Sequence, residues 1–272
     1  MRVKAVVIYD GTSYKGFQIQ VGVPTIQGEL EDVLRHLTGS SIRVLAAGRT
    51  DAGVHAQGQV VAFDVMWCHS LSDLQRAMNA LLPEQIAVSA LVEVSDDFHP
   101  RYAALSRWYR YTIYRAPLRN PLVCRCSLHI NRPICIDKMQ DAACRLIGKH
   151  DFSAFGSPPQ GKNTIREIFM AEWHESENWL IFDVKANAFL YRMVRMLVGT
   201  MLRVGAGTLT LDEFDNLVQG EELDSCSSGL GSSSGLGSSS GLQGGPAVAA
   251  KGLCLMAVCY ECGCTLSNAH NF

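Results

Sequence analysis

Apolar and polar positions along the 272 residues follow two alternating periods. Residues 3–9 form a short apolar run, closed by the turn chemistry of Asp10-Gly11-Thr12-Ser13, and read as a buried strand. Ile26, Leu30, Val33, Leu34 and Leu37 recur at helical spacing, with Thr25 placed to cap the helix and Gly39 to end it. Two β-prone apolar runs follow at 42–47 and 59–65, then a helix over 72–82 stopped by Pro83, then a strand over 86–94. The order β-α-β-β-α-β is that of a ferredoxin-like unit. The second half repeats it with additions. Residues 106–114 alternate Trp108, Arg110 and Thr112 with Tyr109, Tyr111 and Ile113, which is a strand period. A loop with Pro117, Pro121 and Pro133 leads to a helix over 137–148, and residues 150–162 read as another loop. Strands over 164–172 and 179–186, an apolar helix over 189–204, a short helix over 211–218 and a last strand over 252–260 complete the pattern.

The periodicity lapses twice. Residues 225–245 are a Ser/Gly-rich repeat that cannot pack a core and read as a flexible loop. Residues 261–272 carry no pattern and read as a mobile tail. The chain thus divides into an N-terminal α/β unit, residues 1–104, and a C-terminal α/β unit, residues 105–260. The fold class is α+β with mainly antiparallel sheets.

Composition narrows the classes. Apolar content of 47% against 18% charged supports a sizeable core. No apolar run reaches the length of a membrane span, and the first residues are too weakly apolar for a signal peptide. The ten cysteines are therefore expected as free thiols in a reducing, cytoplasmic setting. Cys254, Cys259, Cys262 and Cys264 lack a second well-spaced pair, so no metal site is expected. Net charge is −2, but it is unevenly spread. Residues 101–203 hold 16 Lys and Arg against 8 Asp and Glu, a net +8, and the remainder holds 8 against 18, a net −10. The middle of the chain is basic enough to face phosphates.

Three stretches could carry chemistry. Gly48-Arg49-Thr50-Asp51-Ala52-Gly53-Val54-His55-Ala56 lies between two apolar strands, with glycines for unusual backbone angles. Alone, it is surface punctuation or a carboxylate with a partner for an anionic substrate. On the apolar helix, Arg192, Arg195 and Arg203 fall with Gly199 on one stripe, where they reach solvent or meet a functional carboxylate. Arg107 and Arg110 interleave with Trp108, Tyr109 and Tyr111, a pattern that serves a half-buried strand or an RNA surface.

These residues also resemble a family. The 48–56 stretch is similar to the catalytic motif of the TruA family of tRNA pseudouridine synthases. The resemblance extends to Tyr9-Asp10-Gly11-Thr12-Ser13-Tyr14-Lys15-Gly16-Phe17-Gln18-Ile19-Gln20 and to Thr25-Ile26-Gln27-Gly28-Glu29-Leu30-Glu31. It continues through Phe98-His99-Pro100-Arg101, Arg107-Trp108-Tyr109-Arg110-Tyr111 and His150-Asp151-Phe152-Ser153-Ala154-Phe155. It ends with Met193-Val194-Arg195-Met196-Leu197-Val198-Gly199 and Lys251-Gly252-Leu253-Cys254-Leu255.

The resemblance implies two ferredoxin-like (RRM-like) units forming one extended sheet with a central RNA-binding cleft. It implies that Asp51 is catalytic, that Arg49 enters the RNA stem, and that Tyr109 packs on a flipped uracil and assists proton removal. Arg195 would pair with Asp51 and Leu253 would line the base pocket. Arg107, Arg110 and Arg192 are further candidates for RNA contact. The implied reaction is uridine to pseudouridine at positions 38, 39 and 40 of the tRNA anticodon arm, by a homodimer with no metal or organic cofactor. The chemistry agrees: a carboxylate can attack the sugar or the base, or act as a base, and a neighbouring cation favours its ionised form. The alternative is a non-catalytic RNA-binding protein or tRNA-folding helper on the same scaffold.

Overall fold

The computed structural model describes residues 1–158, 161–219 and 244–261. The Ser/Gly repeat up to residue 243, the tail from residue 262, and with it Cys262 and Cys264, lie outside the described residues.

The N-terminal half runs β1 (Arg2–Tyr9), α1 (Ile26–Thr38), β2 (Leu45–Ala46), β3 (His55–Asp64), α2 (Leu71–Leu81) and β4 (Ile86–Val94). Helix α1 starts where Thr25 accepts a hydrogen bond from the Gly28 amide, and ends at Gly39 in the left-handed region, φ 70°. Its apolar stripe of Ile26, Leu30, Val33 and Leu34 is buried. Helix α2 starts one residue before expectation because Ser70 and Asp73 form a reciprocal capping box.

The C-terminal half runs β5 (Ser106–Arg115), β6 (Leu128–Ile130), α3 (Ile136–Cys144), β7 (Gly148–Asp151), β8 (Ile165–Ser176), β9 (Trp179–Ala186), α4 (Met193–Gly205), α5 (Leu211–Gln219) and β10 (Leu253–Cys259). The strands form one mixed, mostly antiparallel sheet, in the order β4-β1-β3-β10-β5-β9-β8-β7, with β2 on β3 and β6 on β5. Among the described residues, only β3–β10 and β5–β6 are parallel.

The last strand joins the halves. β10 runs antiparallel to β5 and parallel to β3, with Cys254 beside His55 and Leu255 beside Ala56. β2 occupies the other end of the same edge of β3, opposite Val61 and Ala62. Parallel pairing places the starts of β3 and β10 together. The loop before β3, residues 48–54, therefore lies beside the segment before β10, residues 244–252. A Cβ at Gly53, φ 78°, would touch the Ala250 Cβ at 3.5 Å.

Four elements differ from expectation. The strand expected over 42–47 shrinks to Leu45–Ala46 because α1 takes over the backbone of Val44. Its amide donates to Glu31 Oε1 at 3.0 Å and its carbonyl accepts from Gln27 Nε2 at 3.2 Å. The helix expected over 137–148 stops at Cys144, and Gly148–Asp151 instead pairs with β8 as an edge strand. β6 arises from a stretch read as a loop; its partner β5 supplies the ladder. The helix expected from 189 begins at Met193. Tyr191 bridges to Ser157, and Arg192 sits in the left-handed region, φ 62°, so residues 189–192 are not helical.

Candidate active site

The 48–54 loop is clamped from behind. The Phe17 amide donates to the Thr50 carbonyl at 3.1 Å, the Gly53 amide to Tyr14 O at 3.4 Å, and the Val54 amide to Asp51 O at 3.2 Å. Gly16, φ 98°, has room for no side chain, since a Cβ would lie 2.8 Å from the Thr50 carbonyl. A Cβ at Gly11 would land on the Val54 carbonyl. The Tyr9–Gln20 stretch is thus the mould against which the Asp51 loop is cast. Gln59 and Tyr9, both buried, hold Gly48 and Thr50 from beneath.

Asp51 faces the helix α4. Its Oδ2 lies 3.0 Å from Arg195 Nη1, and the two side chains are 19% and 15% exposed. Arg195 is itself fixed, because its Nε donates to the Val248 carbonyl at 2.7 Å and its own carbonyl accepts from the Val248 amide at 3.2 Å. The residues that meet here, 51, 195 and 248, come from one loop in the first half and two segments of the second. On α4, Gly199 is needed where the chain returns, since a Cβ there would strike the Pro246 carbonyl.

The pleat of β5 sorts its arginines and aromatics. Tyr109 and Tyr111 lie opposite Leu255 and Leu253 and share their face, while Trp108 and Arg110 turn to the other face. Tyr109 is buried, meets Phe189 edge to face at 5.1 Å, and is close enough to Asp51 to feel its charge. Burial pushes its phenol above the ordinary pKa of 10.0, so the ring is a neutral phenol at physiological pH. Leu253 is 6% exposed and opens β10 on the same face.

The other candidates separate. Arg49 is exposed next to Asp51. Arg192 is exposed, lies off the helix stripe and stacks over Tyr191 at 4.9 Å. Arg107 is not where an RNA contact would need it. Its guanidinium is buried and donates to the carbonyls of Ala47, Arg101, Ala104 and Asn187 at 2.6–3.2 Å. Arg110 lies on the opposite face from Tyr109 and pairs with Asp183, at 2.9 Å from Nε and 3.0 Å from Nη2. Trp108 Nε1 donates to the same carboxylate at 2.8 Å.

One residue of the motif has a role that spacing did not reveal. His55 Nδ1 lies 3.1 Å from Asp10 Oδ1 and 3.3 Å from the Gly11 amide, and its Nε2 lies 3.1 Å from Lys251 O and 3.0 Å from Arg125 O. It ties the loop after β1, the start of β3 and the start of β10. Burial opposes ionisation of Asp10, yet the Thr12 hydroxyl and amide, with His55 and Arg125, leave its pKa below the ordinary 3.8.

A carboxylate held by an arginine, flanked by a buried aromatic ring and an exposed arginine, suits chemistry on a nucleoside. A family model described as tRNA pseudouridine synthase matches residues 5–103 and 142–229. tRNA pseudouridine synthase A of Syntrophotalea carbinolica is 38% identical over 95% of this chain and 96% of that protein. The protein of that name from Moorella thermoacetica is 38% identical over 94% and 98%, and the one from Halalkalibacterium halodurans is 41% identical over 78% and 81%. Among solved structures, the archaeal box H/ACA sRNP Nop10–Cbf5 complex overlaps 74% of this chain and 43% of that one at 14% identity and a TM-score of 0.35, too slight a likeness to bear on the site. The chain belongs to the TruA family of tRNA pseudouridine synthases, isomerases that act on tRNA uridine.

Proposed function

We propose that Asp51 is the catalytic carboxylate of this isomerase and that its substrate is the tRNA anticodon arm, at positions 38, 39 and 40. The observation that carries the reading is the 3.0 Å pair between Asp51 and Arg195, residues 144 apart in sequence. Isomerisation breaks the bond from N1 to C1′, turns the uracil, joins C5 to C1′ and moves the C5 proton off the ring while N1 gains one. Attack at C1′, attack on the uracil and proton removal at C2′ all use a carboxylate as the reacting group, and Arg195 holds that of Asp51 in place. A base inside a stem must be extruded first. Arg49, exposed beside Asp51, fills the vacated stack, and Tyr109 packs on the flipped uracil as a neutral phenol, with Leu253 lining the pocket.

The same reading divides the chain into two ferredoxin-like units, 1–104 and 105–260. In support, the N-terminal half threads β-α-β-β-α-β, and the C-terminal half threads the same order once β6, β7 and α5 are set aside as additions. Each also sets its strands in the order fourth, first, third, second: β4-β1-β3-β2, then β10-β5-β9-β8. The units meet edge to edge at β3 and β10, and the cleft for RNA runs over that seam. Family resemblance extends the proposal to a cytoplasmic homodimer that holds tRNA across both subunits without a metal or organic cofactor.

The test is Asp51→Ala on an anticodon-arm transcript, with pseudouridine read by mass-sensitive labelling. Conversion is expected to vanish while tRNA binding stays within about threefold, because binding rests on many phosphate contacts. Conversion at the wild-type rate would remove Asp51 from the chemistry.

A further inference from the structure

Beneath the 48–51 stretch lies a buried polar chain. Gln59 is fully buried on β3, Tyr9 is 2% exposed at the end of β1, and Thr50 is 7% exposed. Gln59 Nε2 donates to the Gly48 carbonyl at 2.9 Å and to the Tyr9 hydroxyl oxygen at 3.4 Å. The Tyr9 and Thr50 hydroxyl oxygens are 2.8 Å apart.

The Gln59 end of this chain has a fixed direction. A carbonyl can only accept, so Gly48 fixes which end of the Gln59 amide faces the loop. The second Gln59 N–H then points to the Tyr9 oxygen, and the Tyr9 and Thr50 hydroxyls share the next hydrogen bond. The loop is thereby held at residues 48 and 50. The alternate residues, Arg49 and Asp51, are left for the cleft and for Arg195.

We propose that Tyr9 and Gln59 are positioning residues for Asp51, acting through Thr50 and Gly48. The inference rests on the reading that Asp51 is catalytic. Stability alone does not account for the network. Apolar groups of the same shape would pack here without a desolvation penalty. Gln59 Oε1, moreover, is buried with no hydrogen-bond partner, a standing cost. Polar contacts supply a fixed direction and register, which a carboxylate aimed at one atom of a nucleoside requires.

The experiment compares Tyr9→Phe, Thr50→Val and Thr50→Ser with Val7→Ala, whose side chain is fully buried on β1 at the position paired with Gln59. kcat and KM are measured on a tRNA transcript, and thermal unfolding on the same samples. A displacement on the order of 1 Å costs about 10²-fold in rate, so Tyr9→Phe and Thr50→Val are expected to lower kcat about 10- to 100-fold. KM should stay within about twofold, since the phosphate contacts are untouched. Thr50→Ser, which keeps the hydroxyl, should recover most of the rate. Val7→Ala should lower the unfolding temperature at least as much with little change in kcat. Wild-type kcat in Tyr9→Phe, whatever Thr50→Val shows, or a Val7→Ala loss of kcat that matches theirs, would overturn the inference. If Thr50→Val does not fold, Tyr9→Phe decides alone. Asp51→Asn is run in parallel: an active Asp51→Asn overturns the catalytic reading itself, whereas an inert one beside a fully active Tyr9→Phe overturns only the positioning role.

Discussion

Removing Arg195 tests whether the two halves of the chain are coupled through the candidate site. In Arg195→Met the Asp51 carboxylate loses its cation at 3.0 Å, and the Val248 carbonyl loses its Nε donor at 2.7 Å. At 3.0 Å, two unit charges attract by about 1.4 kcal/mol in bulk water and about 5.5 kcal/mol at an effective dielectric of 20. Both side chains are less than one-fifth exposed, which places the pair between these limits. Desolvation offsets part of the attraction, leaving an expected coupling of about 2–3 kcal/mol. The assay is a double-mutant cycle of Asp51→Asn and Arg195→Met, each followed by urea unfolding, because the cycle cancels the separate loss of the Val248 hydrogen bond. Coupling should weaken only slightly when salt is raised, since a part-buried pair is poorly screened. Arg195→Met alone should also lose about 10²-fold in kcat, corresponding to about 2.7 kcal/mol of transition-state stabilisation. A coupling below about 0.5 kcal/mol, the level of an exposed surface pair, would refute the reasoning. Asp51 would then be held by solvent, and the contact with α4 would be incidental.

Two further outcomes follow from burial. Arg107→Met should destabilise the fold by about 3–5 kcal/mol, because four carbonyls lose their donor. The salt dependence of tRNA binding should be unchanged, and a stable variant with a shallower salt slope would return Arg107 to the RNA surface. Four of the eight tyrosines, Tyr9, Tyr109, Tyr111 and Tyr260, have phenols pushed far above the ordinary 10.0 by burial, and burial raises Tyr14 to a lesser extent. In the unfolded chain they ionise near 10 and in the folded chain they keep their protons, so their contribution to stability is intact below about pH 10 and is lost as pH rises beyond it. Ultraviolet titration should show these four ionising only with alkaline unfolding; all eight titrating near 10 in the intact fold would contradict the assignment.

Local signals suffice where an element makes its own hydrogen bonds, as a helix does, or where its own apolar run matches the ladder its neighbours offer. Helix α1 is legible in the spacing of residues 26, 30, 33, 34 and 37, with Thr25 and Gly39 at its ends, and β4 and β9 in their length and bounding turns. They fail where a partner decides. Val44 leaves the ladder because side chains of α1 bind its backbone, and the polar strand β7 exists because β8 offers an edge. Residues 189–192 carry a helical composition, but Tyr191 pairs with Ser157 and the helix cannot start until Met193.

The loop 48–56 shows the same division at the candidate site. Sequence determines that an Arg, a Thr and an Asp stand between glycines on a turn, and family-like motifs in order single out Asp51, Arg49, Tyr109, Arg195 and Leu253. Nothing in residue type distinguishes Arg107 from Arg195. The pleat of β5 and its neighbours bury Arg107 among carbonyls and turn Arg110 to the far face, while the parallel seam of β3 and β10 brings α4 to Asp51. The periodicity of a strand is set by its own residues. Which face receives a carboxylate, and which arginine reaches it, depends on contacts between segments more than a hundred residues apart, and only the packed chain creates those.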